Sequence, residues 1–239
     1  MKETSTTPTY GQFCPVAMAS EILCNRWTVL LVREMLCGST RFNDLRRGVP
    51  RMSPALLSKR LKELELTGVI AVTRNGENST EYRLTDAGEE LRPVIMGIGF
   101  WGQKWIESRA SLRNLDPSLL MWDMRRNLNP EPLPKRRCTI QFLYHDLDPA
   151  QQNWWLVITP TPGSAQEKVD LCNVDPGFDV DLLVQSTLRS MTSVWMGLTN
   201  VQSEVRSGQI EIDGDKTIAR DIQTWLTLSP FAHGERRAA

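Results

Sequence analysis

The chain has 239 residues, 41% of them apolar and 23% charged, and its 28 basic and 28 acidic residues leave no formal net charge. That length suits two domains, each able to bury a core unaided, and the composition fits neither a disordered tail nor a collagen-like or coiled-coil rod. The polar stretch Met1 to Tyr10 and the lack of about 18 consecutive apolar residues lead us to expect a cytoplasmic protein without a secretory leader or a membrane partner. The cysteines Cys14, Cys24, Cys37, Cys138 and Cys172 are odd in number and form no Cys-x-x-Cys or Cys/His cluster, so we expect reduced thiols and no structural metal.

Helical patterns dominate up to about residue 110. The first runs from Pro15 to Cys24, and the second from Trp27 to Leu36, where Trp27, Leu30, Leu31, Met35 and Leu36 recur at helical spacing before Gly38 stops them. Phe42 to Gly48 reads as a short helix closed by its glycine, and Val49 to Met52 as a turn. The next start is the best marked in the chain: Ser53 suits an N-cap, and Pro54 sits at the first helical position, where its missing N–H costs nothing. Leu57, Leu61 and Leu64 form its buried stripe, so Ser58, Lys59 and Lys62 face elsewhere. Gly68 ends this helix. Val69 to Arg74 is β-branched and extended, Asn75 to Thr80 is a turn-rich tip, and Glu81 to Thr85 returns as a second strand.

From Asp86 to about Ser108 one longer helix is expected, with Leu91, Val94, Ile98, Trp101 and Trp105 at intervals of three, four, three and four. This narrow apolar seam suits a partner helix from a second copy. Gly97, Gly99 and Gly102 interrupt it at about 1 kcal/mol each relative to alanine, and close helix approach would be one compensation.

Beyond Ser111 the pattern changes. A helix opens at Asp116-Pro117 and closes before the breaker Asn129 to Pro132. Strands are expected over Arg137 to Tyr144, Trp154 to Thr159, Lys168 to Val174 and Asp179 to Gln185, then a helix from Ser186 to about Met196. Ser207 to Asp215 reads as a strand between glycine turns, and a final helix covers Thr217 to Leu226. The fold class is α+β, with a domain over residues 1–110 and a second over 111–239.

Charge is unevenly spread. Between Arg41 and Lys62 lie seven basic residues and one acidic residue, a local +6, whereas from Ala110 onward 13 basic and 16 acidic residues give −3. A short helix with a leucine face and a polar-cationic face, followed by a hairpin, is what the major groove of double-stranded DNA admits. Ser53, Ser58, Lys59 and Lys62 are therefore the candidates for groove contact. Arg41, Arg46, Arg47 and Arg51 are placed to hold phosphates, and Arg74 and Asn75 to reach from the wing. Arg60 lies between the two faces and is expected to pair with Glu63 or Glu65. A basic run alone fits a solvated face equally well; the capped helix and the hairpin tip the balance toward DNA.

The residues Cys14-Pro15, Arg26-Trp27-Thr28, Arg41 to Leu45, Leu57 to Leu64, Gly68-Val69-Ile70 and Glu81 to Gly88 resemble the HxlR family of bacterial winged-helix regulators over about residues 12 to 108. That resemblance implies a homodimeric transcription regulator. It also implies a redox-sensing alternative through Cys14, since some family members sense oxidants at this cysteine; a small core or interface thiol is the plainer account. This wing has Asn78-Ser79-Thr80 where family members usually carry a proline.

Asp179 to Val184, Leu188 to Gly197 and Val205 to Ile210 with Gly214-Asp215 resemble the sterol carrier protein-2 fold. The resemblance implies an α/β sandwich with a tunnel for an apolar small-molecule effector, for which Trp122, Phe142, Trp155, Leu183, Met191 and Trp195 are candidate linings. The same residues also suit a plain core. A lipid or small-ligand carrier with a helical dimerising half is the rival function. Two histidines, without HExxH, GxSxG, a phosphate loop or a dinucleotide fingerprint, argue against an enzyme and against a cofactor.

Overall fold

The computed structural model describes residues 9–74, 80–106, 112–161 and 168–234. It divides into two compact units, Met1–Ile98 and Gly99–Ala239.

The first unit is helical with one hairpin. Helices α1 (Pro15–Leu23), α2 (Thr28–Leu36), α3 (Phe42–Gly48) and α4 (Pro54–Leu66) precede strands β1 (Ile70–Arg74) and β2 (Thr80–Leu84). The strands pair antiparallel with Ile70 opposite Leu84 and Arg74 opposite Thr80. Leu31 and Val32 of α2, Leu45 of α3, Leu57, Leu61 and Leu64 of α4, and Ile70 of β1 form one buried cluster. Each fully buried leucine contributes about 1.5–3 kcal/mol by leaving water. Trp27 enters α2 with a left-handed φ of 79°, which is costly for a residue with a Cβ.

The helix expected from Asp86 onward is two helices, α5 (Asp86–Glu89) and α6 (Arg92–Trp105). Pro93 explains the break. It has no N–H to give the Glu89 carbonyl, and its ring crowds that same carbonyl, so the helical ladder restarts there. The boundary between the two units falls within α6.

The second unit is built on a five-stranded sheet in the order β5-β4-β3-β6-β7. Its strands are β3 (Cys138–Tyr144), β4 (Asn153–Thr159), β5 (Lys168–Cys172), β6 (Leu182–Ser186) and β7 (Ile210–Gly214). β3 pairs antiparallel with β4 and parallel with β6. Helices α7 (Pro117–Asn127), α9 (Leu188–Trp195) and α12 (Ile222–Leu226) share a buried cluster with one sheet face, in which Met121, Met124, Met191, Trp195 and Trp225 meet Ile140, Phe142, Leu156 and Val184. Tyr144 is wholly buried there and donates its hydroxyl to the Met121 sulfur at 3.1 Å. Burial pushes its ionisation far up, so the ring behaves as a neutral core group.

Two short helices were outside the expectation: α8 (Pro149–Gln152) and α10 (Val201–Arg206). The terminal helix expected over Thr217 to Leu226 is instead α11 (Lys216–Arg220) and α12, divided at Asp221. The strands expected over 168–174 and 179–185 are shorter, ending at Cys172 and beginning at Leu182.

Candidate nucleic-acid interface

Helix α4 stands as its sequence suggests. The Ser53 hydroxyl oxygen accepts a hydrogen bond from the Leu56 N–H at 3.3 Å, and Pro54 occupies the first turn. Leu57, Leu61 and Leu64 are buried, while Ser53, Ser58, Lys59 and Lys62 are exposed. Ser58 donates its hydroxyl to the Pro54 carbonyl at 3.0 Å. Lys59 is 68% exposed, with its Nζ 4.0 Å from Glu63 Oε1. An exposed pair at that distance is worth less than about 1 kcal/mol.

Arg60 is turned inward. Its guanidinium pairs with Glu63 and its Nε donates to the Arg26 carbonyl at 3.1 Å, tying α4 to the turn before α2. It therefore positions the helix and is turned from the exposed face that carries Ser58, Lys59 and Lys62.

The basic residues near α3 divide. Arg46 and Arg51 are exposed, and Arg47 reaches Asp44 at 3.4 Å. Arg41 ion-pairs with Glu81 of β2 at 3.1 Å, and Glu81 also holds Arg83 at 2.9 Å. Because the Tyr82 N–H donates to the Thr40 carbonyl at 2.9 Å, this corner fastens the hairpin to the start of α3. Arg74 is exposed at the end of β1; Asn75 and the tip 75–79 lie outside the described residues.

Two structural features of the site escape a sequence pattern. Glu34 on α2 is wholly buried, held by Arg33 at 2.5 Å, and Arg33 also donates to the Gly48 carbonyl at 3.1 Å. A Cβ at Gly48 would lie 1.8 Å from the Glu34 carboxylate. Gly48 is thus more than a helix stop: its missing side chain makes room for the Glu34 carboxylate, whose partner Arg33 joins α2 to α3 through the Gly48 carbonyl. At the hairpin base, Thr85 donates to the Gly68 carbonyl at 2.6 Å while accepting from the Gly88 N–H at 3.3 Å.

On α6, Val94, Ile98, Trp101 and Trp105 are exposed, Trp101 by 61%. Leu91, just before it, packs against the core of the first unit and so leaves the seam. Near the N-terminus Phe13 is 98% exposed and Val16 and Met18 are also open. Glu21 accepts from the Thr9 hydroxyl at 2.6 Å and the Tyr10 N–H at 2.8 Å, which fastens that segment to α1 and holds its carboxyl below the usual range. Cys14 is half-buried at the N-cap of α1, without a capping hydrogen bond.

The six candidate ligand residues do not converge. Phe142, Met191 and Trp195 belong to the core beneath the helices, whereas Trp155 and Leu183 both align with Gln141 and so occupy the opposite sheet face. Neighbouring strand residues point to opposite faces, and Trp122 is buried separately, beneath the Arg125 guanidinium at 4.7 Å. One pocket cannot be lined by all six.

A capped helix with a leucine-buried face and a cationic free face, followed by an antiparallel wing, defines the first unit as the winged helix-turn-helix of a DNA-binding transcription regulator. The family model described as HxlR-like helix-turn-helix matches residues 22–110. The uncharacterized HTH-type transcriptional regulator YvaP of Bacillus subtilis (strain 168) is 40% identical over 100 residues, covering 41% of this chain and 93% of that protein. The uncharacterized HTH-type transcriptional regulator MT3179 of Mycobacterium tuberculosis (strain CDC 1551 / Oshkosh) is 31% identical over 136 residues, covering 50% of this chain and 85% of that protein. A solved structure of the redox regulator HypR in its oxidized form is 31% identical over 37% of this chain and 94% of that one, with a TM-score of 0.35, too low to bear on the fold. The chain belongs to the HxlR-like helix-turn-helix family.

Proposed function

We propose that the protein is a homodimeric regulator that sets two copies of α4 in successive major grooves of a pseudo-palindromic operator. Ser53, Ser58, Lys59 and Lys62 face base edges, Arg46, Arg47 and Arg51 hold phosphates, and Arg74 reaches out from the end of β1. Arg41, engaged by Glu81, serves first to anchor the hairpin. The observation that carries this is the exposure of the cationic face of α4 directly opposite its buried leucines.

The open apolar side chains of α6 support the dimer, because Val94, Ile98, Trp101 and Trp105 are a stripe that an isolated chain would leave in water. The part up to about residue 110 reads DNA and dimerises. The part from 111 onward, a helix-covered sheet of the sterol carrier protein-2 type, binds an apolar effector. Such a ligand shifts DNA binding only by as much as it favours one state of the dimer over the other.

Gel-shift titrations at several salt concentrations test the DNA assignment. Lys59→Ala with Lys62→Ala weakens binding about tenfold or more and flattens the dependence of affinity on salt. Unchanged affinity and slope would remove α4 from the interface.

A further inference from the structure

In the second unit, α10, β7 and the α11–α12 pair surround a groove of about 650 Å³. Its floor is apolar: Val201 and Ile222 are buried, Ile212 and Ala219 half-buried, and Val205 lies open at 42%. Arg206 and Arg220 also line it, and none of its lining residues is acidic.

The two arginines differ in what they already hold. Arg220 grips Asp221 with both arms, Nε to Oδ1 at 3.0 Å and its terminal nitrogen to Oδ2 at 2.9 Å, so its charge is met. Arg206 reaches only Gln202, donating to the backbone carbonyl at 3.3 Å and to the side-chain oxygen at 3.2 Å. Among the described residues no carboxylate pairs with it. The groove therefore joins an apolar floor of small-molecule size to one uncompensated planar guanidinium, a group whose two parallel donors match a carboxylate. A cation is repelled there, and an uncharged chain leaves that fork unused.

We propose that this groove binds amphiphilic monocarboxylates, with the carboxylate on Arg206 and the apolar tail over Val201, Val205, Ile212, Ala219 and Ile222. The proposal rests on taking the second unit as the effector-binding part of the regulator, and the groove shares no lining residue with the six core and sheet-face candidates.

Calorimetric titration of the full chain with decanoate, decanol and decyltrimethylammonium tests it. Decanoate binds saturably and at least tenfold tighter than decanol, while the cation does not bind. Arg206→Gln erases the preference for decanoate over decanol. Ala219→Trp, which fills the floor, weakens both by tenfold or more, with circular dichroism melting confirming that each variant folds. Absence of saturable decanoate binding, equal affinity for decanoate and decanol, or a preference that survives Arg206→Gln overturns the proposal. Operator affinity measured with and without decanoate separates the two levels. If decanoate binds as described yet leaves DNA affinity unmoved, the groove stands and effector control falls; if decanoate does not bind, the groove falls and effector control is left to another ligand.

Discussion

In the first unit the residues proposed to read DNA and those that carry the fold lie on opposite sides of one helix; in the second, three of the candidate ligand contacts, Phe142, Met191 and Trp195, lie in the core. On α4, Leu57, Leu61 and Leu64 point inward and Ser58, Lys59 and Lys62 outward, and the chemistry of each side chain declares its side. In the second unit Phe142, Met191 and Trp195 are as apolar as any pocket lining, and they are buried in the core. A DNA-binding surface differs in composition from a core, because phosphates demand cations that a core excludes. An apolar ligand site has the composition of a core, and only the packing separates the two.

That contrast can be broken at several points. The largest effect is expected in the second unit: Trp195→Ala lowers stability by about 3–5 kcal/mol, as for other buried aromatics, read as a fall in the chemical denaturation midpoint. A loss below about 1 kcal/mol would mean that Trp195 lines a void and that the contrast is false. In the first unit Gly48→Ala drives a methyl group into the buried Glu34 carboxylate and costs about 1–3 kcal/mol by overpacking. A neutral result would mean that α3 does not pack against the Glu34 carboxylate at Gly48. Smaller in energy but plain in its readout, Trp101→Asp on the open stripe of α6 shifts sedimentation toward monomer and leaves the melting of the monomer unchanged within about 0.5 kcal/mol. A variant that remains dimeric places the dimer elsewhere.

How much was legible follows the same division. The start of α4 could be read because three independent signals agree there: the Ser53 cap, Pro54 and the leucine spacing. The pairing of Arg60 with Glu63 followed from helical spacing, whereas its bond to the Arg26 carbonyl depends on a turn 34 residues away and left no local trace. Pro93 is the local signal that divides the stretch after Asp86, and the apolar spacing that runs across it masks that single residue. The helices α8 and α10 have four and six residues, too short for any periodicity to register, although Asp148-Pro149 and the Asn200 cap mark their starts. Gly48 was legible as a stop and illegible as a cradle, since the carboxylate it accommodates comes from another helix. For the ligand candidates, the alternation of β3 and β4 already separates Phe142 from Trp155 by face once the register is fixed, and that register lies in the pairing of the strands.

Selection of bound sequences from a random DNA pool, run in parallel with the wild type, Lys59→Ala and Arg46→Ala, tests the assignment of α4 most directly. We predict that Lys59→Ala loses preference at defined positions of each half-site, while Arg46→Ala recovers the wild-type motif with uniformly weaker binding. A Lys59→Ala protein that selects the unchanged motif, or an Arg46→Ala protein that alters it, would contradict the assignment of base reading to α4 and of phosphate holding to α3.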